Sequence, residues 1–130
     1  RGFEAEGNAR RIAFLQQLAA DISAETGALI EVEVTEQYRN MREVVEACPA
    51  ALDLAKAALK ACGLVPQTIP IRGGTDGSRL SFMGLPCPNL GTGGHNFHGP
   101  YELISVQAME QAVLVIAKLC ELAVDFPVQM

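Results

Sequence analysis

Both histidines of the chain fall in one glycine-rich loop, residues 93–102, which reads GGHNFHGPYE. Imidazole is the commonest side chain for binding transition metals, and glycines let a ligand approach the backbone closely. His98 is the stronger candidate ligand, because Glu102 follows it by four residues and could orient its ring. The alternative is an ordinary loop histidine that is hydrogen-bonded to backbone carbonyls.

A metal site built from this loop alone would be incomplete. Zinc takes three or four protein ligands, and even His95 together with His98 would supply only two. The sequence contains no third cluster of ligand residues. The loop therefore predicts that any metal bound by His98 is shared with groups from outside this chain.

A second candidate site is the turn that begins at Arg72. Here an arginine followed by two glycines stands at the end of a predicted strand and just before a predicted helix, whose N-cap is Thr75 or Asp76. A fixed positive charge beside a helix N-terminus favours an anionic ligand such as a peptide carboxylate. The alternative is a tight turn with a solvent-exposed arginine.

Tyr38 and Asn40 form the third candidate. They lie between two stretches of different pattern, at a hinge where clefts tend to form. The alternative is that both are unremarkable polar residues of a loop.

The elements before this hinge predict half of a ferredoxin-like sandwich within residues 1–46. Apolar residues recur at helical spacing over residues 9–25, with Asn8 as a possible N-cap and Gly27 as the stop. Residues 28–35 then alternate between apolar and polar, as in a half-buried strand. An unpaired strand of this kind needs more chain or another copy to cover it.

The elements after the hinge, residues 47–130, predict part of a doubly wound α/β domain. Strand, helix, strand, glycine loop and helix follow one another in the order typical of that fold. The alanine-rich helix is expected to approach a sheet closely, and Ser105 is expected to cap the last helix. The predicted helices cover residues 49–62, 78–83 and 106–123, and the predicted strands cover residues 67–71 and 87–90.

Composition narrows the class of protein and its partners. The 130 residues are 49% hydrophobic and 19% charged, as in a packed domain, and no apolar run approaches the roughly 20 residues that span a bilayer. A net charge of −5 without a basic cluster disfavours nucleic acid and membrane surfaces as partners. The four cysteines match no zinc or redox spacing, which favours reduced, buried thiols and a cytoplasmic location. The opening residues suggest that the chain is a C-terminal piece of a longer protein.

Three motifs resemble the peptidase T family, the tripeptide aminopeptidases of the co-catalytic dizinc exopeptidase superfamily. The match covers essentially the whole chain and places it at the C-terminal third of such an enzyme. Tyr38 and residues 40–43 fit the hinge of the family. The motifs are residues 71–77 (IRGGTDG), 80–90 (LSFMGLPCPNL) and 93–99 (GGHNFHG).

The resemblance implies specific roles. His98 matches the last zinc ligand, whereas His95 stands where relatives usually carry tyrosine and is not expected to be a ligand. Residues of the substrate cleft are matched by Arg72, Tyr38 and Asn40, and an arginine of the lid domain that contacts substrate is matched by Arg1.

The resemblance also implies what lies elsewhere. The other ligands of the two zinc ions and the general-base glutamate belong to the N-terminal part of the family, so this chain carries no catalytic residue. We therefore expect a tripeptide substrate for the longer enzyme, no hydrolysis by the chain alone, and the N-terminal part as its main partner. The alternative is a non-catalytic assembly or peptide-binding module, in which an exposed strand pairs with a second copy to form a homodimer.

Overall fold

The computed structural model describes residues 4–71 and 73–126, and these residues form five helices joined by irregular segments. One isolated antiparallel bridge, between His95 and Leu103, is the β-type pairing found in this part of the chain. The helices are α1 (Ala5–Thr26), α2 (Arg42–Ala47), α3 (Ala50–Ala61), α4 (Asp76–Phe82) and α5 (Val106–Ala123).

The first helix is longer than its apolar pattern predicts. It begins at Ala5 rather than at residue 9, so Asn8 lies inside the helix and Glu4 is the N-cap residue, without a side-chain cap. Glu6 in the first turn favours this start, because its negative charge lies at the positive end of the helix dipole. The predicted end is confirmed, since Gly27 adopts the left-handed conformation with φ 71° and donates its N–H to the carbonyl of Ser23.

The later helices follow their local sequence signals closely. The helix predicted over residues 106–123 has those bounds, and the Ser105 hydroxyl accepts the Ala108 N–H at 3.1 Å. Thr75 caps α4 by accepting the Ser78 N–H at 3.3 Å. The predictions at residues 49–62 and 78–83 are confirmed to within two residues at each end.

The three predicted strands are absent from the described residues. Residues 28–35, 67–71 and 87–90 are irregular, and no strand neighbours them. A strand is defined by hydrogen bonds to a partner, and these runs have no such partner among the described residues. The prediction of a parallel sheet is therefore not met by the described residues taken alone.

A small core holds the second half of the chain together. α3 packs against α5, and α2 packs against α4. Ala55 and Ala58 of α3 and Val115 of α5 are buried, so the alanines of α3 serve close approach to a helix rather than to the predicted sheet. Small side chains at the contact allow this approach because the distance between two helix axes depends on the size of the side chains between them.

Much apolar surface stays uncovered. The accessible surface is 10,305 Å², whereas a folded monomer of 13.9 kDa is expected to expose about 6,700 Å². On α1 the side chain of Phe14 is 66% exposed, and on α5 that of Val113 is 65% exposed. A helix that is apolar on several faces, as α5 is, is typical of the interior of a larger body.

The described residues give no support to membrane insertion or to disulfide crosslinking. No helix among them combines the length and hydropathy that crossing a bilayer requires. All four cysteines are free, but the prediction that they are buried is wrong for Cys120, which is exposed, and the other three are only half-buried.

Candidate functional site

The histidine loop is closed on itself by backbone hydrogen bonds. His95 and Leu103 exchange two of them, at 2.9 Å and 3.2 Å, which fixes the two ends of the loop against each other. Within the loop, the Gly99 N–H donates to the Asn96 carbonyl at 3.0 Å. The segment from His95 to Leu103 is thus a closed turn with its own hydrogen bonds.

Two residues of this turn have left-handed backbones. Asn96 has φ 56° and His98 has φ 64°. Asparagine tolerates this region well, whereas histidine adopts it at a cost of about 1–2 kcal/mol. The Asn96 amide donates to the Tyr101 carbonyl at 3.2 Å, and the His98 N–H donates to Oε2 of Glu102 at 3.0 Å. These bonds hold a conformation that is uncommon for histidine.

The glycines before the turn serve close packing within the chain. Gly93 has φ 81°, and a Cβ placed there would lie 2.9 Å from Cβ of Ala108 on α5. A Cβ on Gly94 would lie 2.7 Å from the ring of Phe97. Since real Cβ atoms essentially never approach so closely, any larger residue would displace the loop from α5 or the Phe97 ring from the backbone.

The imidazole of His98 is presented outward. The residue is exposed, and its ring has no hydrogen-bond partner within residues 4–71 and 73–126. The alternative of a ring bonded to backbone carbonyls is therefore not what the structure has. The predicted role of Glu102 needs correction, because its carboxylate binds the main chain of His98 and not the ring.

A free, exposed imidazole on a fixed backbone suits one position in a metal site. The described part of the chain contains no group of three or more histidine, cysteine, aspartate or glutamate side chains that could hold an ion. An open depression of about 400 Å³ borders the loop on the side of Phe97, Glu102 and Leu103. The loop thus borders an open depression and presents an exposed imidazole at His98.

A second cluster joins Tyr38 to the glycine turn after residue 72. The Tyr38 ring lies directly against the backbone of Gly74, so that an added Cβ would overlap three ring carbons. The Arg79 guanidinium carbon lies 5.1 Å from the centroid of the same ring, in a cation–π contact. The structure thus brings together Tyr38 and the turn that the sequence singled out separately. Arg72 itself and Arg1 lie outside the described residues.

Asn40 lies two residues before Arg42, the first residue of α2, a helix that the sequence did not predict. Its side-chain oxygen accepts the Arg42 N–H at 3.0 Å, an arrangement that starts a helix from the preceding loop. Arg42 then pairs with Glu46 one turn later at 2.7 Å. That hydrogen bond, together with the charges of Glu46 and Glu4, raises the pKa of Arg42.

Buried hydroxyls of α4 connect these segments, and the sequence reasoning missed them. The Ser78 hydroxyl donates to the Arg39 carbonyl at 2.6 Å. Ser81, only 2% exposed, accepts the Cys87 N–H at 3.0 Å, and its hydroxyl lies 2.7 Å from the Gly77 carbonyl. Two serines three residues apart share a helix face, which is the signal that could have revealed this connection.

The loop after α4 is fixed by the same helix. A Cβ on Gly77 would lie 2.6 Å from the Cys87 carbonyl oxygen, so only glycine fits there. The Asn89 amide donates to the Thr75 hydroxyl at 3.1 Å, which ties the loop to the N-cap of the helix. Residues 73–90 are therefore a packing unit around α4, with the Tyr38 ring against Gly74.

Comparison with known proteins identifies the relatives of this chain. It is 54% identical over 124 residues to the peptidase T of Aliivibrio fischeri, and 53% identical over 124 residues to that of Vibrio parahaemolyticus. The peptidase T of Aeromonas hydrophila is 52% identical over 123 residues. The chain is homologous to peptidase T.

Each of these peptidase T alignments covers 94% of this chain but 30% of the relative. The chain thus spans about a third of the length of the curated peptidase T sequences it matches, which agrees with the expected resemblance to their C-terminal third. No protein-family model matches the chain. The resemblance to peptidase T inferred from the motifs is confirmed by this comparison.

Proposed function

We propose that the chain is the C-terminal part of a zinc-dependent tripeptide aminopeptidase of the peptidase T type. The observation that carries this proposal is identity above 50% to peptidase T over a segment that presents His98 as an exposed imidazole without a hydrogen-bond partner for its ring among the described residues. In the longer enzyme His98 is a ligand of one of two zinc ions, and the remaining ligands come from the N-terminal part.

The proposal accounts for the surface that this chain leaves uncovered. The accessible surface exceeds the value expected for a folded monomer of this mass by about 3,600 Å². This excess is larger than the area that one partner buries in an ordinary protein–protein interface, about 800 Å². Such an excess is expected when a domain has been cut through its own core. We propose that residues 1–46 belong to a lid domain and residues 47–130 to a doubly wound α/β catalytic domain.

The same reasoning applies to the strands. Parallel strands are buried on both faces and take their hydrogen bonds from neighbouring strands. Residues 67–71 and 87–90 are short apolar segments next to the two candidate sites, and residues 28–35 alternate as a half-buried strand does. In the longer enzyme these segments pair with strands of the N-terminal part.

In this mechanism the chain's own residues bind one zinc ion and contact the peptide substrate. Zinc, when bound, supplies a water of lowered pKa that serves as the nucleophile on the scissile carbonyl. Tyr38, Asn40, Arg72 and Arg1 contact the peptide, with the arginines suited to carboxylate and carbonyl oxygens. The general base belongs to the N-terminal part, so the chain by itself hydrolyses nothing. A cytoplasmic location fits this activity.

Fragment complementation tests the proposal. The N-terminal part of the longer enzyme and this chain are produced separately, mixed with Zn²⁺, and assayed with a tripeptide. Hydrolysis is expected only from the mixture, is abolished by a chelator and is restored by added Zn²⁺. The matched control is the chain carrying His98→Ala, which is expected to associate without restoring activity.

Two results would contradict the proposal. One is metal-dependent hydrolysis by this chain alone, and the other is full activity of the mixture that contains the His98→Ala chain. A monodisperse oligomer of the chain that does not bind the N-terminal part would instead favour the assembly module.

A further inference from the structure

We propose that Glu102 is a positioning residue that sets the direction of the His98 imidazole through the main chain. The inference rests on the proposed function, in which His98 binds zinc. A carboxylate near a metal-bound histidine usually accepts a hydrogen bond from the ring itself. Here Oε2 of Glu102 accepts the backbone N–H of His98 at 3.0 Å.

The backbone of His98 is the part of the residue that needs support. At φ 64° its Cβ is crowded by the carbonyl oxygen that follows, so an extended or helical backbone would be preferred without a restraint. A hydrogen bond to an ionised carboxylate is stronger than one between neutral groups. The carboxylate thus stabilises the one backbone conformation from which the side chain leaves the turn as observed.

Glu102 is itself fixed by the turn. Its N–H donates to the Gly99 carbonyl at 3.2 Å, and the next residue, Leu103, is paired with His95. The carboxylate is therefore carried on the rigid end of the closed turn and reaches back four residues. Because it uses the main chain, both ring nitrogens of His98 are left for other partners within the described part of the chain.

The test uses four variants of the longer enzyme, one of which, His98→Ala, tests the proposed function itself. Glu102→Ala removes the acceptor, whereas Glu102→Gln keeps an oxygen that can accept the N–H but removes the charge. Glu110→Ala is the matched control, because Glu110 is an exposed glutamate of α5 that has no ion-pair or hydrogen-bond partner among the described residues. Zinc affinity is measured by competition with a chelator, and amide hydrogen exchange at residue 98 is measured in zinc-free protein.

A main-chain role predicts a graded result. Glu102→Ala is expected to weaken zinc binding by about 10- to 100-fold, in line with other residues that orient ligands, and to speed exchange of the His98 amide. Glu102→Gln is expected to fall between wild type and Glu102→Ala in zinc affinity, because an oxygen acceptor remains but the charge that strengthens the bond is lost. Glu110→Ala is expected to match wild type in both measurements.

The other possible results overturn either the main-chain role of Glu102 or the proposed function. Wild-type zinc affinity in Glu102→Ala, or equal losses in Glu102→Ala and Glu102→Gln, would overturn the main-chain role. If zinc affinity in His98→Ala equals that of wild type, the proposed function fails instead. If Glu102→Ala does not fold, Glu102→Asp replaces it. The shorter side chain of aspartate keeps the charge but moves the oxygen away from the His98 N–H. Wild-type zinc affinity in Glu102→Asp would then overturn the main-chain role of Glu102.

Discussion

Replacing Gly74 by alanine tests whether the Tyr38 ring is seated on the glycine turn. The added Cβ would overlap three carbons of the ring, so either the ring or the turn must move. The backbone of Gly74 is outside the left-handed region and accepts alanine by itself. Displacement of the Tyr38 ring is therefore the expected response.

The expected loss of stability follows from the buried area and the contacts that the Tyr38 ring loses. Tyr38 is 45% exposed, so displacement uncovers at most about 100 Å², worth up to about 2.5 kcal/mol at about 25 cal/mol/Å². Loss of the cation–π contact with Arg79 adds about 0.5–1 kcal/mol. Alanine restricts the unfolded chain and returns about 0.4–1 kcal/mol. Since the ring will find some new contacts, we expect a net loss of about 1.5 kcal/mol.

Hydrogen–deuterium exchange in the longer enzyme measures this loss locally. A change of about 1.4 kcal/mol in opening free energy corresponds to tenfold faster exchange, which is expected for peptides covering residues 36–42 and 73–82. Gly73→Ala is the matched control, because nothing lies within 4 Å of its Cβ and its backbone is also permissive. The substrate KM is expected to rise in Gly74→Ala and to stay unchanged in Gly73→Ala.

A double-mutant cycle with Tyr38→Ala decides the cause. Once the ring is gone, the added Cβ no longer overlaps it, so the penalty of Gly74→Ala is expected to be largely lost in that background. Equal exchange rates in Gly74→Ala and Gly73→Ala would refute the reasoning. So would a full penalty that persists in the Tyr38→Ala background.

Three further changes test the packing around the two sites. Ser81→Ala leaves the Cys87 N–H without its acceptor and is expected to destabilise the longer enzyme by about 1–3 kcal/mol in urea unfolding; an unchanged midpoint would contradict the role of this hydroxyl. Gly93→Ala adds both backbone strain and a contact with Ala108, so zinc affinity is expected to fall, whereas Gly91→Ala, with open space around it, is expected to keep wild-type affinity. The isolated chain is expected to bind the dye ANS strongly because of its uncovered apolar surface, and absence of dye binding would contradict that description.

Sequence patterns predict those helix ends that local interactions determine. The last helix was predicted with its bounds because Ser105 is a capping residue and the apolar period starts directly after it. Gly27 and Thr75 carry equally local signals: Gly27 ends α1 as predicted, and of the two predicted N-cap candidates, Thr75 and Asp76, it is Thr75 that caps α4. The start of α1 was predicted less well, since Glu4 provides no side-chain cap and the first turn relies on propensity and charge.

Sequence patterns do not predict the contacts between residues that are distant in the chain. Strands need partners, and the runs at residues 28–35, 67–71 and 87–90 have none in the described chain. The spacing of Glu102 from His98 predicted that they meet, but not that the carboxylate binds the main chain. Tyr38 and Gly74 were both singled out, yet nothing in their separate patterns indicated that one rests on the other.

The ratio of zinc to protein in the purified longer enzyme tests the central claim most directly. Wild type is expected to hold two zinc ions, and His98→Ala is expected to lose about one of them because a single ligand among three or four is indispensable to a catalytic site. His95→Ala is the control from the same loop and is expected to keep both. A His98→Ala protein that retains the wild-type ratio would contradict the assignment of His98 as a metal ligand.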